Sequence, residues 1–245
     1  MPIIDLGSAL LNYIVDTGLQ PGDRLPSISE LADADHLGSS ASKVREQLEV
    51  ARALGLVEVR SKTGTRLREY SFAPAVRLGL LYAIAQNPAL FDRFSQLRIH
   101  VEVAFWREAC GALTEADKQT MRDCVDSAHE KLTGERIRIP YAEHHTFHMT
   151  VFKRLENPFV MGILEAYWDA YRALQLNLYA DYEYLHTTWD YHARILEAIQ
   201  AGDQEASLSA YIEHTKLIRY MPRPQDQKGE MIIPDAPDSF IPEDF

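Results

Sequence analysis

The sequence predicts a mostly α-helical chain: a small winged helix-turn-helix at the N-terminus, three helices and a β-hairpin wing, joined to an all-helical bundle. Two observations carry this. The apolar period switches from helical to strand-like just after Gly55 and returns to helical beyond residue 72. Capping and turn signals then cut the remainder into segments of helical length. The expected units are residues 1–70, 71–220 and a proline- and acid-rich tail at 221–245.

Residues 3–19 read as a first helix, with Ile3, Leu6, Leu10 and Ile14 on one face and Leu11 beside them. Pro21-Gly22-Asp23 is a turn, and Ser27 with Glu30 three residues on is a capping box that opens a second helix. The stretch "GSSASKVREQLEVARAL" reads as a third helix, opened by Ser39 or Ser40, with Val44, Leu48, Ala51 and Leu54 inward. "LVEVRSKTGTRLREY" alternates about Lys62-Thr63-Gly64, the pattern of a two-stranded hairpin. Helices are expected at about 74–86, 89–110, 115–133, 140–155, 158–180, 187–201 and 204–220. Thr114 with Asp117 forms a second capping box, Asn157-Pro158 a stop and restart, and Gly202-Asp203 a tight turn. The tail from Met221, rich in proline and acid, is expected to be extended.

Charge and composition narrow the function. A net charge of −11 argues against a protein that coats nucleic acid indiscriminately. Yet the charge is uneven: residues 1–42 set Arg24 against six acids, whereas 43–68 set seven Lys or Arg against three Glu. A short basic segment in an acidic chain points to one local anionic partner. No apolar run approaches the roughly 18 residues of a membrane span. The N-terminus lacks the basic start of a signal peptide, and two cysteines, Cys110 and Cys124, suit a reducing cytoplasm.

Histidine is the residue type that asks for an explanation. In "YAEHHTFHMTVF", His144 and His148 are four apart and share a helix face with Tyr141, Val151, Phe152 and Leu155. His192 shares a face with Trp189, Ile195, Leu196 and Ile199, and His214 with Ala210, Tyr211, Leu217 and Ile218. His192 lies eleven residues before Asp203 and His214 eleven after it. At about 1.5 Å rise per residue, both stand roughly 16 Å from the turn. An i, i+4 pair from one helix and one histidine from each of two others can thus meet at a point. His36, His100, His129, His145 and His186 fit no such cluster.

The N-terminal residues resemble the GntR transcriptional regulators, and within them the FadR-like branch with an all-helical FCD effector domain. The resemblance rests on Leu19, Pro21, Gly22, Leu25, Pro26, Ser27, Leu31-Ala32 and Leu37-Gly38. It continues through Val44-Arg45-Glu46, Leu48, Gly55-Leu56-Val57 and Gly64. In the second half it is looser: Arg98 with Glu102, Phe147-His148, Asn157-Pro158, and the run from His192 to Asp203 ahead of a final histidine. Two positions depart from the pattern. Ile28-Ser29 stand where Glu-Arg is usual, and Ser40-Ala41 where Ser-Arg is usual, so the usual operator sequence is not carried over.

The resemblance implies operator DNA as partner. The DNA-facing candidates are Ser40, Ser42, Lys43 and Arg45 at the start of the recognition helix and Lys62, Gly64 and Arg66 in the wing. Serine is a permissive base reader, and the cations would mainly position the protein on phosphates. The resemblance also implies a divalent metal held by His144, His148, His192 and His214, with histidine where aspartate is usual. Glu143 is adjacent but about 100° off that face. Imidazole suits Zn²⁺ or Ni²⁺, and four neutral ligands leave the metal's charge to attract an anion.

Arg98, among Phe94, Leu97, Val101 and Phe105 on the inward face of its helix, needs a carboxylate partner there. Glu102, one turn on, is an internal candidate; the resemblance implies instead an effector carboxylate. On that reading a small organic or sugar acid is the effector, with Tyr141, Trp189 and Tyr211 lining its pocket. A homodimer on a two-fold operator is expected. Two alternatives stand beside this: a regulator for which the metal is itself the signal, and a metal-dependent hydrolase. Against the hydrolase, no carboxylate stands on the three histidine-bearing faces to act as base.

Overall fold

The computed structural model describes residues 4–60, 63–135, 137–174 and 182–217. Three helices come first: α1 (Ala9–Asp16), α2 (Ile28–Ala32) and α3 (Ala41–Ala53). Strands β1 (Val57–Arg60) and β2 (Gly64–Leu67) follow as an antiparallel hairpin, Val57 opposite Leu67. This is the expected winged helix-turn-helix, with Lys62 of the wing outside the described residues. Its core is Leu10, Ile14, Leu25, Leu31, Val44, Leu48, Ala51 and Val57.

The first helix is shorter than its apolar period suggests. Ser8 caps it by accepting the Leu11 N–H, and Gly7 just before it takes φ 65°, outside the helical region. Leu6 is therefore exposed rather than part of the core, and Ile3 lies outside the described residues. The Ser27–Glu30 capping box forms with both reciprocal bonds, and Ser40 caps α3 by accepting the Lys43 N–H.

Among the described residues the second unit holds seven helices: α4 (Ala73–Gln86), α5 (Leu90–Gly111), α6 (Glu115–Thr133), α7 (Tyr141–Phe152), α8 (Pro158–Ala173), α9 (Tyr182–Gln200) and α10 (Gln204–Thr215). The Thr114–Asp117 box opens α6, and Asn157 opens α8 by accepting two backbone N–H groups. Helix α7 stops at Phe152, short of the expected 155, although Leu155 stays buried. Helix α8 stops at Ala173, and the rest of its expected span, 175–180, lies outside the described residues, as does the tail. Among the described residues no strand occurs beyond Leu67.

Helices α9 and α10 form an antiparallel hairpin about Gly202, whose φ of 75° makes the reversal. α6 packs on α7 and α9, while α5 touches α7, α8 and α10. The main core, from Trp106 through Tyr211, fills the space between them. The start of α4 is held tightly at two glycines, Gly55 of the first unit and Gly162 of the second. A Cβ on Gly55 would lie 2.5 Å from Pro74 Cγ, and one on Gly162 would lie 2.7 Å from both Ala73 N and Phe72 Cβ. The start of α4 is thus pressed between the end of α3 and the face of α8.

Candidate metal centre and DNA face

Three helices deliver four imidazoles to one place. His144 and His148 come from α7, His192 from α9 and His214 from α10, and one ligand atom of each lies within 4.8 Å of all the others. His148, His192 and His214 are buried, and His144 is partly exposed. Glu143 points elsewhere, to Lys131 and Ser127 on α6. Of the remaining histidines none joins the cluster: His36 packs on Tyr13, His100 bonds the Gln96 carbonyl, and His145 leans on Trp168. His129 lies 4.0 Å from Asp190, and His186 packs on Tyr182.

The ring orientations are set by hydrogen bonds. His192 Nδ1 stands 2.6 Å from the Thr188 carbonyl, which can only accept, so Nδ1 carries the proton and Nε2 faces inward with a lone pair. His148 Nε2 lies 3.1 Å from that Nε2, and its Nδ1 lies 3.1 Å from Arg98 Nη2. Burial lowers all four pKa values, that of His192 from 6.5 to about 3, and the Arg98 charge pushes in the same direction. The rings are neutral at pH 7, the protonation state in which imidazole binds metal.

These residues fit a divalent ion. His214 Nδ1 is buried without a hydrogen-bond partner, a costly state that a central cation would relieve. At a Zn–N distance of about 2.0–2.1 Å, tetrahedral ligand atoms sit about 3.3 Å apart. The 3.1 Å between His148 and His192 is already near that value.

Arg98 faces inward as its sequence pattern predicts, but one of its expected neighbours does not. Leu97 faces out, 48% exposed, and Arg98 sits instead on the face of Phe91, Ser95, Glu102 and Trp106. It is buried and ion-paired: Nε lies 2.7 Å from Glu102 Oε2. Its guanidinium lies over the Tyr167 ring at 4.4 Å and near Trp168 at 5.6 Å. Tyr211 donates its hydroxyl to Glu102 and stacks on Trp106, with centroids 4.3 Å apart. Burial raises the Glu102 carboxyl above its ordinary value and Arg98 draws it back down. Arg98 and Tyr211 therefore lie on one side of the histidines, bound to each other through Glu102.

On the other side is a cavity of about 20 Å³, room for a water molecule rather than a metabolite. His144, Tyr141, Tyr171, Thr188 and Trp189 line it. Of the four expected pocket residues, Tyr141 and Trp189 reach this cavity and Arg98 and Tyr211 do not. Tyr167, Trp168 and Thr188 went unnoticed in the sequence. The adjacent aromatics "YW" on α8 were the available signal, and Thr188, one turn before His192, had none.

At the DNA face, Ser42, Lys43 and Arg45 are exposed along the start of α3, while the Ser40 hydroxyl is engaged in capping. Arg66 donates to the Gly22 carbonyl at 2.6 Å, tying the wing to the 20s turn. Arg24 lies across Gly64, where an added Cβ would sit 2.9 Å from its Nε. Arg24 thus joins the wing cations, which its place among acids in the sequence concealed.

Comparison with known proteins agrees with this architecture. The family profile described as bacterial regulatory proteins, gntR family, matches residues 5–67, and the FCD domain profile matches residues 93–217. Over 205 residues the chain is 25% identical to the HTH-type transcriptional regulator LutR of Bacillus subtilis, covering 80% of this chain and 90% of that one. It is 26% identical over 209 residues to a protein of Paenarthrobacter nicotinovorans named "Probable D-xylose utilization operon transcriptional repressor", covering 84% of each. Among solved structures, Streptococcus agalactiae GntR superposes with a TM-score of 0.62 at 19% identity, covering 85% of this chain and 94% of that one, a likeness of fold.

Proposed function

The chain belongs to the GntR family of bacterial regulatory proteins and carries an FCD domain, a family of DNA-binding transcriptional regulators and not of enzymes. From that premise we propose that a small organic or sugar acid, bound beside a histidine-held divalent metal, controls its grip on operator DNA. The observation that carries this reading is the meeting of four neutral imidazoles within 4.8 Å, beside the buried Arg98. His144, His148, His192 and His214 would hold Zn²⁺, with Ni²⁺ the alternative. When bound, such an ion supplies a positive charge that four neutral ligands leave uncompensated, and an anionic oxygen is its natural partner.

The acid would enter from the cavity side, past Tyr141 and Trp189, and widen a space now sized for water. Arg98, across the histidines from the cavity, would meet its carboxylate through Nη2, the nitrogen it now gives to His148. Helix α8 links this event to the DNA-binding unit. Its Trp168 packs near Arg98, and its Gly162 touches residues 72 and 73, where the effector unit begins. A shift of α8 would reposition the wings of two protomers on a two-fold operator, with coupling of about 1–3 kcal/mol. No helix among the described residues is long and apolar enough to cross a membrane.

A second reading has its own support. Four imidazoles complete a tetrahedral shell, and the cavity is too small for a metabolite as it stands. On that reading the metal is itself the signal. One experiment separates the two: select genomic fragments that bind the purified chain, then follow release by fluorescence anisotropy against a panel of hydroxy and sugar acids, with and without Zn²⁺. Acid-dependent release that His148→Ala abolishes supports the first reading. Release by Zn²⁺ alone supports the second, and indifference to both sinks the pair.

A further inference from the structure

The hydrogen-bond chain through the site admits one arrangement of protons. The Thr188 carbonyl makes His192 Nδ1 the donor, so in the neutral ring Nε2 accepts. His148 Nε2, 3.1 Å away, must then donate, which makes its own Nδ1 an acceptor. Arg98 Nη2, a donor in every state, stands 3.1 Å from that Nδ1 and completes the chain. Every link is satisfied from Arg98 to Thr188.

Metal ligation through His148 Nε2 reverses the middle of this chain. The Nε2 lone pair must face the ion, so the ring proton moves to Nδ1, where it confronts the guanidinium, donor against donor. Neither group can accept, and both are buried. One acceptor is at hand. Glu102 Oε1 lies 4.0 Å from His148 Nδ1, is buried, and has no hydrogen-bond partner, its sister oxygen being held by Arg98 and Tyr211.

We propose that Glu102 is the outer-shell carboxylate of the metal site: on metal loading its Oε1 takes the His148 Nδ1–H, and Arg98 Nη2 is displaced from the ring. No proton is released at His148; it moves from Nε2 to Nδ1. Carboxylates in this position orient metal-bound histidines and raise their basicity. The same exchange frees Arg98 Nη2 from the ring, the nitrogen a ligand carboxylate would take. This inference rests on the reading of the four histidines as metal ligands.

The test uses the full-length chain and Zn²⁺ alone. Zinc affinity is measured at pH 7 by competition with a chromophoric chelator for the parent, Glu102→Gln and His148→Ala. Loss of an outer-shell partner weakens metal binding about 10–100-fold. The expected result is therefore a drop of that size in Glu102→Gln at unchanged stoichiometry, together with loss of the site in His148→Ala. Parent-like affinity in Glu102→Gln with loss in His148→Ala overturns the role of Glu102 and leaves the metal site standing. Zinc binding that survives His148→Ala overturns both. Should Glu102→Gln not fold, ¹⁵N-histidine spectra of the parent decide. On adding zinc, His148 is expected to become protonated at Nδ1, and a ring still protonated at Nε2 refutes the exchange.

Discussion

His148 Nε2 and His192 Nε2 lie 3.1 Å apart, carried by α7 and α9 with the whole of α8 between them in the chain. Each ring is aimed from behind, His192 by the Thr188 carbonyl and His148 by Arg98. The two ligand nitrogens are thus near one point before any ion arrives; His192 already holds the tautomer that binds metal, whereas His148 must first pass its proton from Nε2 to Nδ1.

Elemental analysis of the purified chain should therefore find about one equivalent of zinc or nickel, and His148→Ala and His192→Ala should each lose it. Parent protein without metal, even after incubation with Zn²⁺ and desalting, would make the four histidines ordinary core residues. Thermal denaturation gives an independent readout, since an ion bound only by the folded chain raises Tm.

Acid should unfold the protein in a window set by these rings. His192 has its pKa lowered from 6.5 to about 3, and His144, His148 and His214 are lowered too, by burial above all. The unfolded chain binds protons that the folded chain refuses, so stability is full above 6.5 and falls as pH drops toward 3. Each buried ring contributes a slope of at most about 1.4 kcal/mol per pH unit. Asp117, whose pKa is lowered mainly by Arg154, adds a loss of the same sign below its ordinary 3.8. Urea titrations at pH 7.5, 6 and 5 should give falling midpoints, and flat midpoints would contradict the buried neutral rings.

Much of this architecture was legible in local sequence and some was not. Capping boxes at Ser27–Glu30 and Thr114–Asp117 are short-range chemistry, and both form as read. The level of His192 with His214 follows from their equal spacing of eleven residues to Asp203 at the turn, which helical rise alone sets. Arg98 faces inward as read, but Leu97, grouped with it, does not, because α5 has apolar residues on several sides and periodicity alone did not separate them. The cover of Tyr167 and Trp168 over Arg98 depends on how α8 crosses α5, a tertiary fact with no local signature. Leu6 failed for a different reason: Ser8 and Gly7 ended the helix before the apolar pattern ended.

Gly162 should tolerate no side chain. A Cβ there would lie 2.7 Å from the Ala73 backbone nitrogen and 2.9 Å from the Phe72 backbone carbon, neither of which can step aside. Gly162→Ala is expected to cost about 1–3 kcal/mol, the usual range for overpacking. Gly79→Ala, with nothing within 4 Å, is the control and should be neutral or slightly stabilising. Equal denaturation midpoints for the two variants would mean that α8 and the start of α4 do not press together as described.

The DNA face makes a prediction that separates positioning from reading. Lys43 and Arg45 are exposed at the start of α3, with no side-chain partner among the described residues, whereas Arg66 spends one nitrogen on the Gly22 carbonyl. Lys43→Ala and Arg45→Ala should each weaken binding to all fragments alike and reduce the slope of log K against log salt by about 0.9. Ser42→Ala should leave that slope unchanged and alter only the preference among fragments, since a serine carries no charge to release a counterion. Anisotropy titrations at several salt concentrations measure both quantities at once. A salt slope untouched by Lys43→Ala and Arg45→Ala would remove the α3 start from the phosphate backbone and shift the contact to the wing, where Arg24 beside Gly64 would be the next residue to change.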